Sequence, residues 1–273
     1  MADGTIPCEV AMRSSLAFLA AACLGASAAM ANPAVDARYA VQTMGVELGR
    51  AELRLEQLAQ GLQLRFRFET DALLGFVEAS DTRMANQSAA VRGEVSPKRF
   101  EGVYAKADRT REVAIDYGPQ GAIDGFQLIK RGQVRIGEVP KGLQAESVDP
   151  LTAFLRARTW LDQSPEGSEL TLSVFDGRKR YDTNLRYLGL TQLTGVHGTT
   201  PAHRVSVRYR LVESLDEDRG VLEAERSSRL RELEMAVSAD GRYLPLAVEG
   251  SLDGLPVSAV LAADCAAPGG CPD

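Results

Sequence analysis

Histidine, tryptophan and cysteine are nearly missing from this chain: its 273 residues hold two, one and four of them. The histidine count narrows the reactive possibilities sharply. A Ser-His-Asp site would have to use His197, in Gly195-Val196-His197-Gly198, or His203, in Pro201-Ala202-His203-Arg204-Val205; both read as side chains beside turns. There is no Gly-x-Ser-x-Gly elbow and no glycine-rich phosphate loop ending in Lys-Ser or Lys-Thr. The acidic run Asp216-Glu217-Asp218 lacks the spaced ligands and closing Glu of a calcium loop, so it reads as a solvated hairpin tip. No enzymatic activity, cofactor or metal site is expected.

Excess positive charge is also lacking. The formal charge is −6, and −5 once Asp3, Glu9 and Arg13 are set aside with the leader described next. That balance does not suit nucleic acid or anionic membrane surfaces. Beyond residue 31 no run reaches the ~18 apolar residues of a membrane-spanning helix, so no transmembrane segment is expected in the mature chain.

The leader itself is the clearest signal. Arg13 opens it, Leu16 to Gly25 form a short apolar run, and Ala29-Met30-Ala31 is a small-x-small cleavage site before Asn32-Pro33. This order reads as a secretory signal peptide and predicts a periplasmic product. Residues 1–11 carry no basic residue, so the expected true start is Met12. Lipid attachment at Cys23 competes. It would place Ala20 where a larger aliphatic residue belongs and leave a very short apolar run, so cleavage after Ala31 is favoured. The expected division is therefore 1–31, extension and signal peptide, and 32–273, a single β domain. Only Cys265 and Cys271 survive cleavage, and an even pair in an exported chain predicts a disulfide between them. A metal site would need more Cys and His than remain.

After residue 38 the chain alternates apolar and polar, the mark of strands with one buried face. Leu62, Leu64, Phe66 and Phe68 alternate with Gln63, Arg65 and Arg67; Val205, Val207, Tyr209 and Leu211 alternate with Ser206, Arg208 and Arg210. Leu170, Leu172 and Val174 lead to Asp176-Gly177; Leu233, Met235 and Val237 lead to Asp240-Gly241; a run from Leu244 leads to Asp253-Gly254. Asp-Gly between alternating runs signals a hairpin, with positive φ expected at both turn positions. The reading is an antiparallel meander. Glycine and proline crowd residues 118–147, where Phe126, Leu128, Ile129, Val134 and Ile136 favour short strands. Residues 32–38 and the tail from about 264 are expected to be mobile.

One stretch is helical. Asp149 supplies an N-cap, Pro150 suits the first helical position, and Leu151, Phe154, Leu155, Trp160 and Leu161 recur at helical spacing, predicting an amphipathic helix over 150–161. Trp160 reads as a core anchor. The densest polar cluster is Phe175-Asp176-Gly177-Arg178-Lys179-Arg180-Tyr181-Asp182. Strand parity would put Arg178 and Arg180 on one face and Lys179 and Tyr181 on the other. The basic side would suit a carboxylate or phosphate headgroup; pairing with nearby acids is the competing use.

Five segments in order carry a family resemblance: Tyr39 to Leu55 with Gly45 and Gly49, Arg99-Phe100-Glu101-Gly102, Val148-Asp149-Pro150-Leu151, Val174 to Asp182, and Ala202 to Tyr209. The chain resembles the exported bacterial family called domain of unknown function 3108. The resemblance implies an envelope β protein shaped as an open or spiral barrel, similar to lipoprotein-carrier folds. It also implies a Cys where His203 stands, so no disulfide is expected through that position. It implies no activity.

The expected fold is mainly β: a single antiparallel, strongly curved sheet forming an open or spiral barrel with one covering helix. Leu64, Phe66, Phe68, Leu151, Phe154, Leu155, Trp160, Leu172, Val174, Val207 and Tyr209 are its expected interior. The candidate ligand-binding residues are Phe66, Phe68, Phe154, Trp160, Arg178, Arg180 and Tyr209. Two uses compete: holding a lipid-like or other apolar small molecule inside the barrel, or docking an envelope protein through a sheet edge or the basic strand.

Overall fold

Period-two alternation dictates a sheet, and the sheet that forms takes up most of the described chain. The computed structural model describes residues 34–70, 79–91, 94–107, 109–136, 139, 146–195, 198–214, 231–252, 255–266 and 271. The strands are β1 (Val35–Thr43), β2 (Val46–Leu58), β3 (Gly61–Thr70), β4 (Ser80–Val91), β5 (Glu94–Lys106), β6 (Arg109–Tyr117), β7 (Ile123–Lys130) and β8 (Gln133–Ile136). The helix α1 (Pro150–Gln163) follows, and then β9 (Glu169–Phe175), β10 (Lys179–Gly195), β11 (Gly198–Ser214), β12 (Arg231–Ser238), β13 (Pro245–Leu252) and β14 (Leu255–Asp264). No helix among the described residues is long and apolar enough to cross a membrane.

All fourteen strands of the described residues share one sheet, in the order β8-β7-β6-β5-β4-β3-β2-β1-β14-β13-β12-β11-β10-β9. Each neighbouring pair is antiparallel. The chain is thus two meanders joined where β1 meets β14, with Ala37 opposite Asp264 and Val41 opposite Ala259. Within the described residues β8 and β9 do not pair, so the sheet is rolled but not closed.

The helix fills the roll. Asp149 caps it by accepting from Leu151 N at 3.0 Å and Thr152 N at 2.8 Å, and the helix stops where Ser164 N donates to Leu161 O. Its two ends serve different walls. Leu151 and Leu155 join the core built by β1–β7, with Leu64, Phe100 and Ile115. Leu161 joins the core of β9–β12, with Leu172, Leu185 and Val205. Burying a side chain of this size stabilises by about 1.5–3 kcal/mol. A buried polar string fastens the first turn: Thr152 Oγ1 donates to Asp149 Oδ2 at 2.6 Å, and Asn86 Nδ2 donates to Thr152 Oγ1 and to Ser88 Oγ, each at 3.1 Å.

Two sequence expectations are corrected. Residues 35–38 are strand, not a mobile lead-in: Val35 and Ala37 are buried, held between β2 and β14. The alternation that marks them begins too close to Asn32-Pro33 to be visible as a strand. The Asp-Gly turns also work differently from the expectation. Only the glycines take positive φ, +83° at Gly177 and +82° at Gly241, while each Asp uses its carboxylate. Asp176 Oδ1 accepts from Arg178 N and Lys179 N, and Asp240 Oδ1 accepts from Ser238 Oγ and Arg242 N. Residues 253 and 254 lie outside the described residues; β13 pairs with β14, with Leu252 opposite Leu255. Cys265 and Cys271 are disulfide-bonded, and Cys265 N donates to Asp36 O at 2.7 Å, tying the tail to β1.

Candidate functional site

The Phe-Asp-Gly-Arg segment turns out to be a clasp. Phe175 is wholly buried and its ring lies 6.0 Å from that of Phe126 on β7. Gly177 sits so close to β6 that a Cβ there would lie 2.0 Å from Val113 Cγ1. Tyr104 on β5 donates its hydroxyl to Asp176 O at 3.0 Å, and the Arg178 guanidinium covers the Tyr104 ring at 4.4 Å. Gly102 makes room for that ring, since a Cβ there would meet Tyr104 Cε2 at 2.9 Å. The β9–β10 turn therefore seats on β5–β7, and the roll is fastened by side-chain packing where no strand ladder runs.

Beside the clasp is a cleft of about 430 Å³. Register explains its walls. Tyr181 stands opposite Val174 and Leu211, Thr183 stands opposite Tyr209, and Tyr209 stands opposite Arg231. Opposed residues share a face, so these side chains, with Lys179, form one wall. Tyr104 and Met84 face them, and Pro150 brings in the helix start. The Tyr181 and Tyr209 rings meet edge to face at 6.2 Å. Burial, with the Asp176 charge nearby, raises the Tyr104 phenol far above its usual value. Asp176 lines the cleft with its carboxylate already bound by two backbone N–H groups and 3.7 Å from Arg178 Nη2. Apolar side chains and phenols make up most of the lining, with one threonine hydroxyl, Lys179 and Arg231 among the remaining residues.

The seven candidate residues do not converge. Tyr209 lines the cleft and Arg178 covers the Tyr104 ring at its edge. Arg180 turns away to Ser173 Oγ at 2.8 Å and Asp182 at 3.4 Å, so the two arginines are not one basic patch. Phe154 and Trp160 border a crevice of about 30 Å³ between α1 and the sheet, room for about one water. Phe68 packs against the core. Phe66 borders a second hollow of about 420 Å³, rimmed by Arg54, Arg65, Arg67 and Arg83 with Glu52 and Glu101. His203 lies elsewhere, its Nδ1 2.9 Å from Tyr187 Oη, and burial lowers its pKa. His197 and Asp216-Glu217-Asp218 lie outside the described residues.

Sequence reasoning missed Met84, Tyr104 and Arg231 as neighbours of Tyr209. Tyr181 and Lys179 were visible within the basic strand, on the face opposite the one singled out. Among the described residues no three His, Cys, Asp or Glu side chains gather as a metal site.

Among the described residues, a rolled, unclosed antiparallel sheet plugged by α1 and hollowed beside its clasp defines a β-barrel-like protein. The chain belongs to the family described as protein of unknown function DUF3108, whose model matches residues 38–253. Among solved structures it is similar to the β-barrel-like protein of domain of unknown function DUF1849 from Brucella abortus. The identity is 10% and the TM-score 0.54, covering 85% of this chain and 98% of that one; the likeness is one of fold. A candidate lipoprotein from Parabacteroides distasonis matches at 10% identity and a TM-score of 0.34, covering 84% of this chain and 94% of that one, too low to carry an argument. No curated protein matches the chain.

Proposed function

We propose that this is a non-enzymatic periplasmic protein that binds and carries a lipid-like ligand in the cleft between β4–β5 and β9–β12. The observation that carries the reading is the cleft itself: about 430 Å³ walled by Met84, Val174, Leu211 and three tyrosines, within the size range of small-molecule sites, about 300–1,000 Å³. Holding rather than reacting is supported by its polar groups. The one carboxylate is occupied by the turn, and neither His203 nor a thiol lines the walls. The leader at 12–31 supports the compartment. Docking of an envelope protein is a second reading, favoured by the short edge strand β8 with its exposed Val134.

Full-length protein expressed with its own leader and recovered from the periplasm should carry a lipid in native mass spectrometry, and that lipid should be lost on Tyr209→Asp. A clean apo mass together with no saturable binding of any amphiphile would end the carrier reading. A stable protein partner on pull-down, lost on Val134→Lys, would replace it with the docking reading.

A further inference from the structure

We infer that this cleft takes a single acyl chain, buried only to a length that α1 sets, and not the paired chains of a diacyl lipid. This rests on the carrier reading and adds the size class of the ligand. The cleft measures about 430 Å³. A methylene fills about as much space as a liquid water, ~30 Å³, so the cleft is full at about fourteen carbons.

The space ends there because the helix occupies the roll beyond it. Pro150, the first residue of α1, lines the cleft. From that point Leu151 and Leu155 pack into the buried core of β1–β7. On β10 the cleft residues Tyr181 and Thr183 are followed on the same face by Leu185, which stands opposite Val207. Leu185 and Val207 are buried together with Leu161 of α1, and Ala157 and Trp160 pack against them. The crevice left between α1 and this part of the sheet is about 30 Å³, room for about one water and no further length of chain. The clasp shuts another side, where a Cβ on Gly177 would already lie 2.0 Å from Val113 Cγ1. A close-packed interior yields no room for extra methylenes without displacing its own side chains. Carbons beyond the filled cleft stay in water and add nothing to affinity.

The test is a chain-length series. Saturated fatty acids from octanoate to stearate, each below its aggregation concentration, are titrated into full-length periplasmic protein and followed by calorimetry. Affinity should rise about fourfold per methylene while the tail is being buried, and should stop rising near tetradecanoate. Leu211→Ala widens one wall and should move that break about two carbons longer; Thr183→Phe fills the cleft and should move it about two carbons shorter. A residue that served folding alone would shift the thermal midpoint and leave the break in place. Dioleoyl phosphatidylcholine vesicles mixed with the protein should leave no lipid on it in native mass spectrometry. A constant increment through stearate, a break that neither variant moves, or a stoichiometric diacyl lipid would overturn the inference and leave the carrier reading standing. Failure of every fatty acid to saturate, in protein whose native mass is also clean, would overturn both.

Discussion

Asn86 and Thr152 lie 66 residues apart in the sequence and meet at 3.1 Å, the Asn86 amide donating to the Thr152 hydroxyl inside the sheet. Both are buried, as are Ser88 and Asp149 at either end of the string. The contact fixes the first turn of α1 against β4. Thr152→Val keeps the shape and removes the hydroxyl, stranding an Asn86 N–H and an Asp149 oxygen. It should cost about 1–3 kcal/mol, read as a lower urea midpoint with an unchanged slope. An unchanged midpoint would mean that the helix is held by its apolar face alone.

Asp149 adds a pH dependence. Burial raises its carboxyl above the ordinary 3.8, against hydrogen bonds from Thr152 and Leu151 that pull it down. A group whose pKa rises on folding contributes stability that is complete below its unfolded value and is lost as pH rises through its folded value. Asp149→Asn retains a good N-cap and removes this titration. The variant should therefore gain on the wild type as pH is raised from below 3.8 toward neutrality. A difference between the two midpoints that is flat over that window would contradict the direction.

Gly177 is required twice, by its φ of +83° and by Val113. Gly177→Ala should destabilise by about 3 kcal/mol, joining left-handed strain to overpacking. Val113→Ala opens the space, so the double variant should lose less than the two single changes added together. Strict additivity in melting experiments would show that the turn does not seat on β6.

Arg158 carries a buried charge with little to answer it. It is 6% exposed; Nη2 donates to Arg242 O, and Nε and Nη1 have no partner among the described residues. Burial lowers its pKa to about 10, so it remains charged at neutral pH. Arg158→Met should leave stability within about 1 kcal/mol of wild type, or raise it. A loss well beyond that would reveal that the guanidinium is paired.

Much of this architecture is legible in the residues, because half-buried strands and a capped helix leave local patterns. Leu62 to Phe68, Val205 to Leu211 and Asp149-Pro150-Leu151 each state their element within a few positions. β4 does not. Its inward residues include Asn86 and Ser88, polar groups buried for the sake of α1, and they erase the alternation by which a strand is recognised. The cleft was harder still. Parity within one strand separates Lys179 and Tyr181 from Arg180, but nothing local says that Met84 and Tyr104 stand across from them. The contact of Gly177 with Val113 is likewise tertiary; the place of the turn was readable, but its carboxylate-held geometry and its seat were not.

The position of β1 between β2 and β14 sets the order in which the molecule can be completed. Of the described strands, a chain made from its N-terminus puts out β1 first and β14 last, yet these two are neighbours in mid-sheet. Throughout synthesis β1 has one ladder edge bare, and an unpaired edge invites pairing with other chains. Any product that stops short of residue 255 leaves that edge open permanently, however well its other hairpins have formed. The β1 ladder is complete only once β14 has been made, so copies truncated before β14 should be the aggregation-prone and protease-sensitive ones.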